Sequence, residues 1–267
     1  MKEKSNLEPR EVRAAALRAA GFTFAELLVG ISLGAILVGT ILPALNTAQD
    51  TMKAAVCLGN MQQWGMAISL YTADQRDYYP YDGDYNVPPC SIGDSNAWFN
   101  VLPSYIHQTS LCNLYAANVP PRPGMKSIWI CPSATNTTIS ISMNQAYFTY
   151  AFSTCLHEEG SIHNGFRRSR MVSPATTIIF CEEPEDSFPE TNGEYDTVQR
   201  HFGGANFVMG DGHAEWLAFG NFCRAGNPGC PAPLGTIQWD DSSRGGDWRT
   251  GVVYHWWPFL YANTSTN

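Results

Sequence analysis

Hydrophobic residues fill the chain from Phe22 to Leu45 almost without interruption. A helix of about 20 apolar residues is enough to cross a bilayer, and this run of residues 22–45 meets that length. It contains a single ionisable side chain, Glu26. A carboxylate costs of order 2.5 kcal/mol or more inside lipid, so we expect Glu26 to have a function. The run therefore predicts a membrane-spanning helix with a functional charge near its start.

After Pro43 the pattern changes from continuously apolar to amphipathic. Apolar residues recur at three- and four-residue steps, which is the spacing of one helix face. They are Ala54, Cys57, Met61, Trp64, Ile68 and Tyr71. We predict one helix from about Phe22 to about Ala73, with a kink or local melting at Pro43, because proline removes one helical hydrogen bond. Its second half, residues 46–73, needs a partner, and we expect the rest of the chain to supply it.

From residue 74 onward, short aromatic or β-branched runs alternate with turn residues. Residues 98–106 predict a short helix that Pro103 interrupts. Strands are predicted at residues 127–132, 139–141, 147–152 and 176–181. Antiparallel strands packed on the amphipathic half of the long helix would give an α+β fold, with residues 74–267 as its globular domain.

The sharpest local turn signal is Asp211-Gly212, which separates two short runs within residues 206–217. An Asp-Gly pair between such runs predicts a two-residue hairpin with a type I′ turn. Both residues tolerate the positive φ angles that this turn demands.

Charge is distributed unevenly along the chain. Residues 1–21 carry five Lys/Arg and three Glu, whereas residues 22–267 carry 11 Lys/Arg and 21 Asp/Glu. A basic head before an apolar run and an acidic bulk after it predict an N-terminus inside the cell and an exported C-terminal part. This balance offers no basic patch for nucleic acid. Few charged residues (15%) and many aromatic ones (12%) also suit an exported domain.

The segment Gly21-Phe22-Thr23-Phe24-Ala25-Glu26-Leu27 resembles the processing site of type IV prepilins and type II secretion pseudopilins. In that family a membrane peptidase cuts after the glycine and methylates the new N-terminal phenylalanine. The resemblance implies cleavage between Gly21 and Phe22, so that residues 1–21 are a cytoplasmic leader. Pro43 falls where many type IV pilins also carry a proline. The leader is longer than many in the family, and its alanine-rich end departs from the more basic leaders.

Two further segments resemble a large bacterial subfamily of prepilin-like proteins. Residues 57–63 are similar to its Cys-x-x-Asn-Leu-x-Gln helix, with Met61 in place of the leucine. His201 precedes Asp211-Gly212 by nine intervening residues, as in a His-(nine residues)-Asp-Gly motif near the C-terminus of that subfamily. Residues 131–133, Cys-Pro-Ser, are a fainter third match. The matches cover the N-terminal part well and the middle of the chain sparsely.

The resemblance implies a pilin-like fold and a structural subunit rather than an enzyme. The subunit would sit in the inner membrane with a periplasmic or extracellular globular domain, and would assemble into a type II secretion pseudopilus or a type IV pilus-like filament. Its partners would be prepilin peptidase, other pilin-like subunits and the inner-membrane assembly platform. We expect the new amino group of Phe22 and the carboxylate of Glu26 to pair between neighbouring subunits and fix their register. The spacing of Gly30 and Gly34 would let another helix approach closely.

Other interpretations stay open. The apolar run competes with a cleaved signal peptide, although residues 46–48 are a poor cleavage site, with a plain anchor and with a buried core helix. The whole protein could instead be a membrane-anchored module that binds polysaccharide or an exported protein through exposed Trp and Tyr side chains. Aromatic residues buried against the helix would favour the filament subunit, and aromatics lining a concave face would favour the binding module.

His201, Asp211 and His213 are weak candidate metal ligands. Two histidines and an aspartate suit a divalent metal, but the short spacings of known zinc motifs are missing. We favour a structural role, in which Asp211 and Gly212 form the turn and His201 hydrogen-bonds a neighbouring loop. A membrane-tethered metallohydrolase built on these three residues is the least favoured reading.

Asp82, Asp84 and Asn86 alternate as oxygen ligands do in a calcium loop, but the closing bidentate carboxylate is missing. Major pseudopilins bind calcium in their globular domains, so calcium is the cofactor that the resemblance implies. Solvated turn carboxylates are the simpler reading. Residues 182–186 form an acidic run, which we expect to be a solvated loop.

Eight cysteines, an even number, are compatible with disulfides in an exported domain. Cys223 and Cys230 are the best local disulfide candidates. Cys57 on the helix stripe and Cys131 before Pro132 are a second candidate pair, which would join helix to sheet. No Cys-x-x-Cys spacing occurs, which argues against zinc or thioredoxin-like chemistry.

Overall fold

The computed structural model describes residues 22–84, 88–134, 146–153, 156, 166–171, 173–186, 189–191 and 197–218. The chain divides into two units, residues 1–47 and residues 48–267, which are described in turn. Helix α1 (Phe24–Asp74) contributes to both. The prediction of one long helix is confirmed, and α1 continues through Pro43 without the local melting that the sequence suggested.

In the first unit, α1 begins with a capping box formed by Thr23 and Glu26. The Glu26 carboxylate accepts hydrogen bonds from the backbone N–H and the hydroxyl of Thr23, both at 2.8 Å. The Thr23 hydroxyl in turn accepts one from the backbone N–H of Glu26 at 3.2 Å. Such reciprocal bonds satisfy N–H groups that the first turn of a helix leaves unpaired.

Every described residue of this first unit is exposed. The most apolar 18-residue window of α1 has a mean hydropathy of 2.2, and none of it is buried. By its length and composition, the helix fits a single membrane span.

The second unit contains the amphipathic half of α1. Its buried residues follow the predicted stripe, and Cys57, Met61, Trp64 and Ile68 are each no more than 1% exposed. The prediction that the rest of the chain covers this face is confirmed, because Trp64 contacts Trp98, Trp129 and Phe180 with ring centroids 5.1 to 6.0 Å apart. The core therefore lies where this half of α1 meets the sheet.

Five strands form one mixed sheet in the order β3-β1-β2-β4-β5. They are β1 (Phe148–Ser153), β2 (Ile178–Asp186), β3 (Glu190–Thr191), β4 (Gly204–Met209) and β5 (Ala214–Ala218). The two-residue β3 pairs parallel to β1, and the other three pairings are antiparallel. The α+β prediction is confirmed, but the prediction of an antiparallel sheet is wrong, because β3 pairs parallel to β1.

Two strand predictions are confirmed and one is wrong. Residues 147–152 and 176–181 correspond to β1 and the start of β2. Residues 127–132 form turns, because side chains take the backbone groups that a strand would pair. Trp64 Nε1 donates to the Ile128 carbonyl at 3.2 Å, and the Cys131 N–H donates to Thr149 Oγ1 at 3.0 Å. The strand predicted at residues 139–141 lies outside the described residues.

The expectation that residues 182–186 form a solvated loop is wrong. Strand β2 continues through them, and Glu182 and Glu183 are 0% and 2% exposed. Strand β2 pairs with β1 as far as Asp186 and with β4 as far as Cys181, so these residues extend the sheet and do not form a loop. The core therefore contains two acidic residues.

The β4–β5 hairpin is confirmed, but its type I′ turn is wrong. Gly212 has a φ of +94°, whereas Asp211 does not have a positive φ. The Gly212 N–H donates to the Met209 carbonyl at 2.8 Å, and the Met209 N–H donates to the His213 carbonyl at 2.9 Å. These bonds define a three-residue loop in which a type I turn is followed by a glycine in the left-handed region.

Short helices and a disulfide cover one side of the core. Helix α2 (Trp98–Val101) continues into a 3₁₀ helix (Leu102–Ile106), which confirms the predicted interrupted helix. Helix α3 (Leu111–Ala116) is capped by Ser110, whose hydroxyl accepts from the Asn113 N–H at 3.3 Å. Cys90 and Cys112 form a disulfide, which was not among the predicted pairs.

Candidate metal centre

Four buried side chains from four separate segments converge on one point of the second unit. Cys57 comes from α1, Cys131 from the turns before β1, Glu182 from β2 and His201 from the segment before β4. One sulfur, nitrogen or oxygen donor atom of each lies within 4.8 Å of the other three. We call these four residues the cluster.

The Glu182 carboxylate contacts every other member of the cluster. Its Oε1 lies 2.7 Å from Cys57 Sγ, 2.9 Å from His201 Nε2 and 3.4 Å from Cys131 Sγ. Cys131 Sγ also lies 3.4 Å from His201 Nε2. The donor atoms of all four residues therefore point toward a common centre.

Local folding explains how His201 reaches this position. Phe202 and Gly203 both have positive φ angles, of 53° and 74°, and form a tight turn. The turn closes with reciprocal backbone hydrogen bonds of 3.0 and 3.1 Å between His201 and Gly204. Trp216 of β5 donates its Nε1–H to the His201 carbonyl at 2.8 Å. The histidine backbone is thus fixed from both neighbouring strands.

A second ring of polar groups orients the cluster. Asn206 donates to the other carboxylate oxygen of Glu182, Oε2, from its backbone N–H at 2.6 Å and from its side-chain amide at 3.2 Å. The Tyr150 hydroxyl lies 3.3 Å from Cys57 Sγ and accepts from the Asn60 amide at 3.2 Å. These contacts leave Oε1 of Glu182 and the Cys57 sulfur facing the centre.

Glu182 and His201 form a buried ion pair. Burial acts to raise the pKa of Glu182, but the hydrogen bond and charge of His201, with bonds from Cys57 and Asn206, hold it below its usual value. Burial likewise acts to lower the pKa of His201, but hydrogen bonds to Cys131 and Glu182 raise it to about 9. The carboxylate and the imidazolium compensate each other.

The two thiols differ in acidity. A hydrogen bond from Cys57, helped by His201 and by the positive charge of Arg200, lowers the pKa of Cys131 to about 6. Burial, together with the hydrogen bond to Cys131 and the charge of Glu182, raises the pKa of Cys57 well above its usual value. The Cys131 thiol is therefore the more acidic of the two.

The geometry does not suit nucleophilic catalysis. In a nucleophilic triad the carboxylate contacts one ring nitrogen and the nucleophile the other. Here Glu182 and Cys131 both approach Nε2 of His201. Within the part of the chain that the structure describes, the four side chains are at most 2% exposed, so a substrate could not reach them. Four convergent donors in a closed site instead have the form of a structural metal centre.

The structure does not bring together His201, Asp211 and His213, the metal triad considered from the sequence. Strand β4 separates His201 from Asp211, and its six residues span roughly 20 Å at about 3.3 Å each. His213 Nδ1 instead contacts Asp211 Oδ1 at 2.5 Å within the exposed turn. We had expected His201 to hydrogen-bond a neighbouring loop. Its side chain instead belongs to the cluster.

The Asp211-Gly212 end of the motif contacts α1. A Cβ atom on Gly212 would lie 2.0 Å from Ser69 Oγ, and one on Gly65 would lie 2.2 Å from the Gly212 carbonyl oxygen. Arg168 also donates to the Asp211 carbonyl at 3.0 Å. The nine-residue spacing thus connects a buried histidine to a turn that rests on the helix.

The proposed calcium loop is only partly described, because Asn86 lies outside the described residues. Asp82 is buried, and Asp84 is exposed and accepts from the Tyr81 hydroxyl. Asp94 joins them, since its Oδ1 accepts from the Asp84 N–H at 2.9 Å. Burial, with the charges of Asp84 and Asp82, raises the pKa of Asp94. Calcium binding here stays a prediction.

The predicted disulfide between Cys57 and Cys131 is wrong, because both are free thiols in the cluster. The other candidate pair, Cys223 and Cys230, lies outside the described residues.

The residues predicted for processing and assembly lie at the start of the chain. Gly21 is outside the described residues, and Phe22 is 84% exposed. Glu26 is engaged in the capping box. Around Gly30 and Gly34 a Cβ atom would meet nothing within 4 Å, so this helix face is open.

Sequence reasoning missed Glu182 and the second ring formed by Tyr150 and Asn206. Glu182 was hidden in an acidic run, and neither its neighbours nor any short spacing linked it to a cysteine or a histidine. A usable signal was the continuous run from Ile178 to Cys181, which carries a strand directly into Glu182. Both named residues of the Cys-x-x-Asn segment contribute to the site. Cys57 is a member of the cluster, and Asn60 donates a hydrogen bond to the Tyr150 hydroxyl.

Comparisons with protein-family models, with curated proteins and with solved structures each found no match for this chain.

Proposed function

We propose that this protein is a prepilin-like subunit, anchored in a membrane by the first half of α1 and assembled through it into a pseudopilus or a pilus-like filament. The observation that carries the proposal is the exposure of every residue of an apolar segment, residues 22–45, at the start of a helix whose second half buries one face in its own domain. The resemblance of the residues around Gly21 and Phe22 to the prepilin processing site supports the same proposal.

Exposed apolar surface on this scale needs a partner other than water. Ile36, Leu37 and Leu42 are 55 to 64% exposed, and the residues around them are equally open. Surface patches of more than a few hundred Å² mark membrane or protein contacts. Lipid covers such a helix before assembly, and neighbouring copies of the helix cover it in a filament. The open face at Gly30 and Gly34 suits the second arrangement, because small residues let helices approach closely.

Glu26 has two roles in this proposal. Its carboxylate caps the helix through Thr23, which accounts for its place in a single chain. Its charge then pairs with the amino group that cleavage creates on Phe22 of a neighbouring subunit. A pairing of opposite charges in an apolar bundle fixes register, because an unpaired charge there costs several kcal/mol.

The binding-module alternative receives less support. In the described part of the second unit, the tryptophans at positions 64, 98 and 129 are buried against one another. Phe202 and Trp216 are the exposed large aromatics among those residues, at 61% and 41%. The remaining four tryptophans lie outside the described residues. Burial of the aromatic core against α1 is what a filament subunit needs.

The first experiment measures the mass of the N-terminal peptide of the protein purified from membranes that contain prepilin peptidase. We expect a chain that begins with N-methylated Phe22. Gly21→Leu is the matched control, and it should keep residues 1–21. A wild-type chain that keeps its leader despite an active peptidase would refute the proposal.

A second experiment separates the two roles of Glu26. Glutamine preserves the capping-box hydrogen bonds but lacks the charge, whereas alanine removes both. We expect both Glu26→Gln and Glu26→Ala to be cleaved normally and to enter filaments poorly, as measured by the subunit content of sheared filaments. Normal assembly of Glu26→Gln would show that the charge does not fix register.

A further inference from the structure

We propose that Cys57, Cys131, Glu182 and His201 bind one zinc ion, which is a closed structural centre of the folded domain. The proposal is independent of the membrane role, since it concerns only residues of the second unit. On this proposal, four segments that lie far apart in the sequence each supply one ligand to the same ion.

The donor types select the metal. Two cysteine sulfurs and an imidazole nitrogen favour zinc over calcium or magnesium, which prefer oxygen ligands. A carboxylate oxygen is an accepted fourth ligand of zinc. Four protein donors leave no open position, and this is the mark of a structural rather than a catalytic zinc site.

The separations fit a tetrahedral ion. Zinc bonds of about 2.0 to 2.3 Å place the donors of a tetrahedron about 3.3 to 3.8 Å apart. Cys131 Sγ lies 3.4 Å from both Glu182 Oε1 and His201 Nε2. The contacts of Glu182 Oε1 with Cys57 and His201, at 2.7 and 2.9 Å, are those of hydrogen bonds. They lengthen when the ion replaces the two protons between these atoms.

The charges of the site balance. Cysteine and histidine ligands must be deprotonated, so zinc binding releases the protons that Cys57, Cys131 and His201 carry. Two thiolates and one carboxylate then face the doubly charged ion, which leaves a net charge of −1. The positive charge of Arg200 acts on Cys131 and opposes this negative charge. The guanidinium is held in place by the carbonyls of Thr149, at 3.2 Å, and Glu183. Glu182 is already oriented for one-oxygen binding, because Asn206 occupies Oε2.

The state of the cysteines supports an ion as well. Cys90 and Cys112 form a disulfide, which is typical of an oxidising compartment. Cys57 and Cys131 have adjacent sulfurs and yet are free thiols. A metal that binds both thiolates explains how two neighbouring cysteines stay reduced in a chain that forms disulfides elsewhere.

The ion would join four segments that lie far apart in the sequence. Cys57 and Glu182 are 125 residues apart, and Cys131 and Glu182 are 51 residues apart. Ligand binding by the folded chain alone stabilises it against unfolding. Two of the three segments similar to the prepilin-like subfamily, at residues 57–63 and 131–133, and the histidine of the third supply ligands to this one centre.

The test uses the full-length chain in detergent, reduced and stripped of metal with a chelator, and titrated with Co²⁺ and then Zn²⁺. We expect one Co²⁺ per chain, a thiolate-to-cobalt charge-transfer band, displacement of Co²⁺ by Zn²⁺, and a rise in the Tm with Zn²⁺. Cys57→Ser and Cys131→Ser should each reduce the charge-transfer band. Each should weaken binding by more than the roughly 10- to 100-fold that loss of an outer partner costs.

Cys181→Ala is the matched control, because Cys181 is an equally buried cysteine outside the cluster. It should bind Co²⁺ as the wild type does. Two results would each overturn the proposal: no stoichiometric binding by the reduced wild type, or unchanged binding in Cys131→Ser. Where a cysteine variant does not fold, the Tm of the wild type decides, and no rise with saturating Zn²⁺ counts against the ion.

Discussion

The two halves of α1 share one continuous helix and differ completely in their surroundings. All described residues up to Thr47 are exposed, whereas the second half buries a stripe that includes Cys57, Trp64 and Ile68. The second half therefore has partners in the same chain, whereas the part of the chain that the structure describes supplies none to the first half. Helix formation alone does not reveal this difference, because both halves form regular helix.

Each half also carries, or faces, a carboxylate in apolar surroundings. Glu182 contacts the second half through Cys57, and its charge is compensated by His201 and Asn206. Glu26 in the first half has hydrogen bonds from Thr23 of its own chain. Glu182 thus has its partners within the domain, whereas the bonds of Glu26 are those of its cap. On the proposed function, the charge of Glu26 pairs with a neighbouring subunit.

We expect the largest loss of stability when the negative charge of Glu182 is removed. Glu182→Gln leaves the buried His201 charge without its partner, and breaking a buried pair in this way costs about 3–5 kcal/mol. Urea unfolding of the full-length chain in detergent measures the loss. Asp50→Asn, on the exposed side of α1 in a 3.9 Å ion pair with Lys53, is the control and should change stability little. Equal costs for the two variants would mean that the cluster does not stabilise the domain.

The next prediction contrasts the two helix halves directly. Ile68→Ala removes a side chain that is 1% exposed and should destabilise the domain by about 2–5 kcal/mol. Leu37→Ala removes one that is 60% exposed and should leave the unfolding of the domain unchanged within about 0.5 kcal/mol. The same urea experiment measures both. A large destabilisation by Leu37→Ala would show that the first half also packs on its own chain.

A smaller effect tests how closely the hairpin approaches the second half of α1. Gly212→Ala meets Ser69 Oγ at 2.0 Å and forces a positive φ on alanine. Together these should cost about 2–4 kcal/mol. Gly203→Ala is the matched control, because its φ is +74° but nothing lies within 4 Å of the added carbon. It should cost only about 1 kcal/mol. Similar costs at both positions would indicate that the turn does not press on the helix.

The smallest effect concerns the second ring. Tyr150→Phe removes the hydroxyl that contacts the Cys57 sulfur and accepts from Asn60. The net value of such a bond is about 1 kcal/mol, so thermal unfolding should shift slightly downward. The matched control is Tyr105→Phe, which loses an exposed bond to Asp74 and should shift less. Indistinguishable shifts would argue that the second ring does not support the cluster.

The sequence predicted the elements that depend on local pattern. The α1 stripe, β1, the start of β2 and the hairpin position all follow from periodicity or from turn residues. It failed at residues 127–132, where distant side chains satisfy the backbone, and at residues 182–186, where sheet position overrides composition. The hairpin turn type also failed, because the close approach of Gly212 to α1 selects a longer loop than Asp-Gly alone suggests.

The cluster itself could not be predicted from spacing. Its four donors come from four elements, and no two of them are separated by a short, recognisable spacing. The missing Cys-x-x-Cys motif therefore argued against a zinc site. Cys57 and Cys131 were recognised as spatial neighbours through the proposed disulfide, and His201 through its motif. Only the three-dimensional pairing of β2 with β4 adds Glu182. Proximity was inferable for part of the site, and its chemistry was not.

The distance along the chain between Cys57 and Glu182 has a consequence for biogenesis. On the proposed topology the chain crosses the membrane from its N-terminal end, so Cys57 emerges first and Glu182 follows 125 residues later. Until then the apolar stripe of α1 stands outside the membrane with no sheet to cover it. The order of translocation thus creates an interval in which the subunit is vulnerable to proteolysis and aggregation, and it makes late emergence of the β2–β4 segment the step that commits the domain to fold.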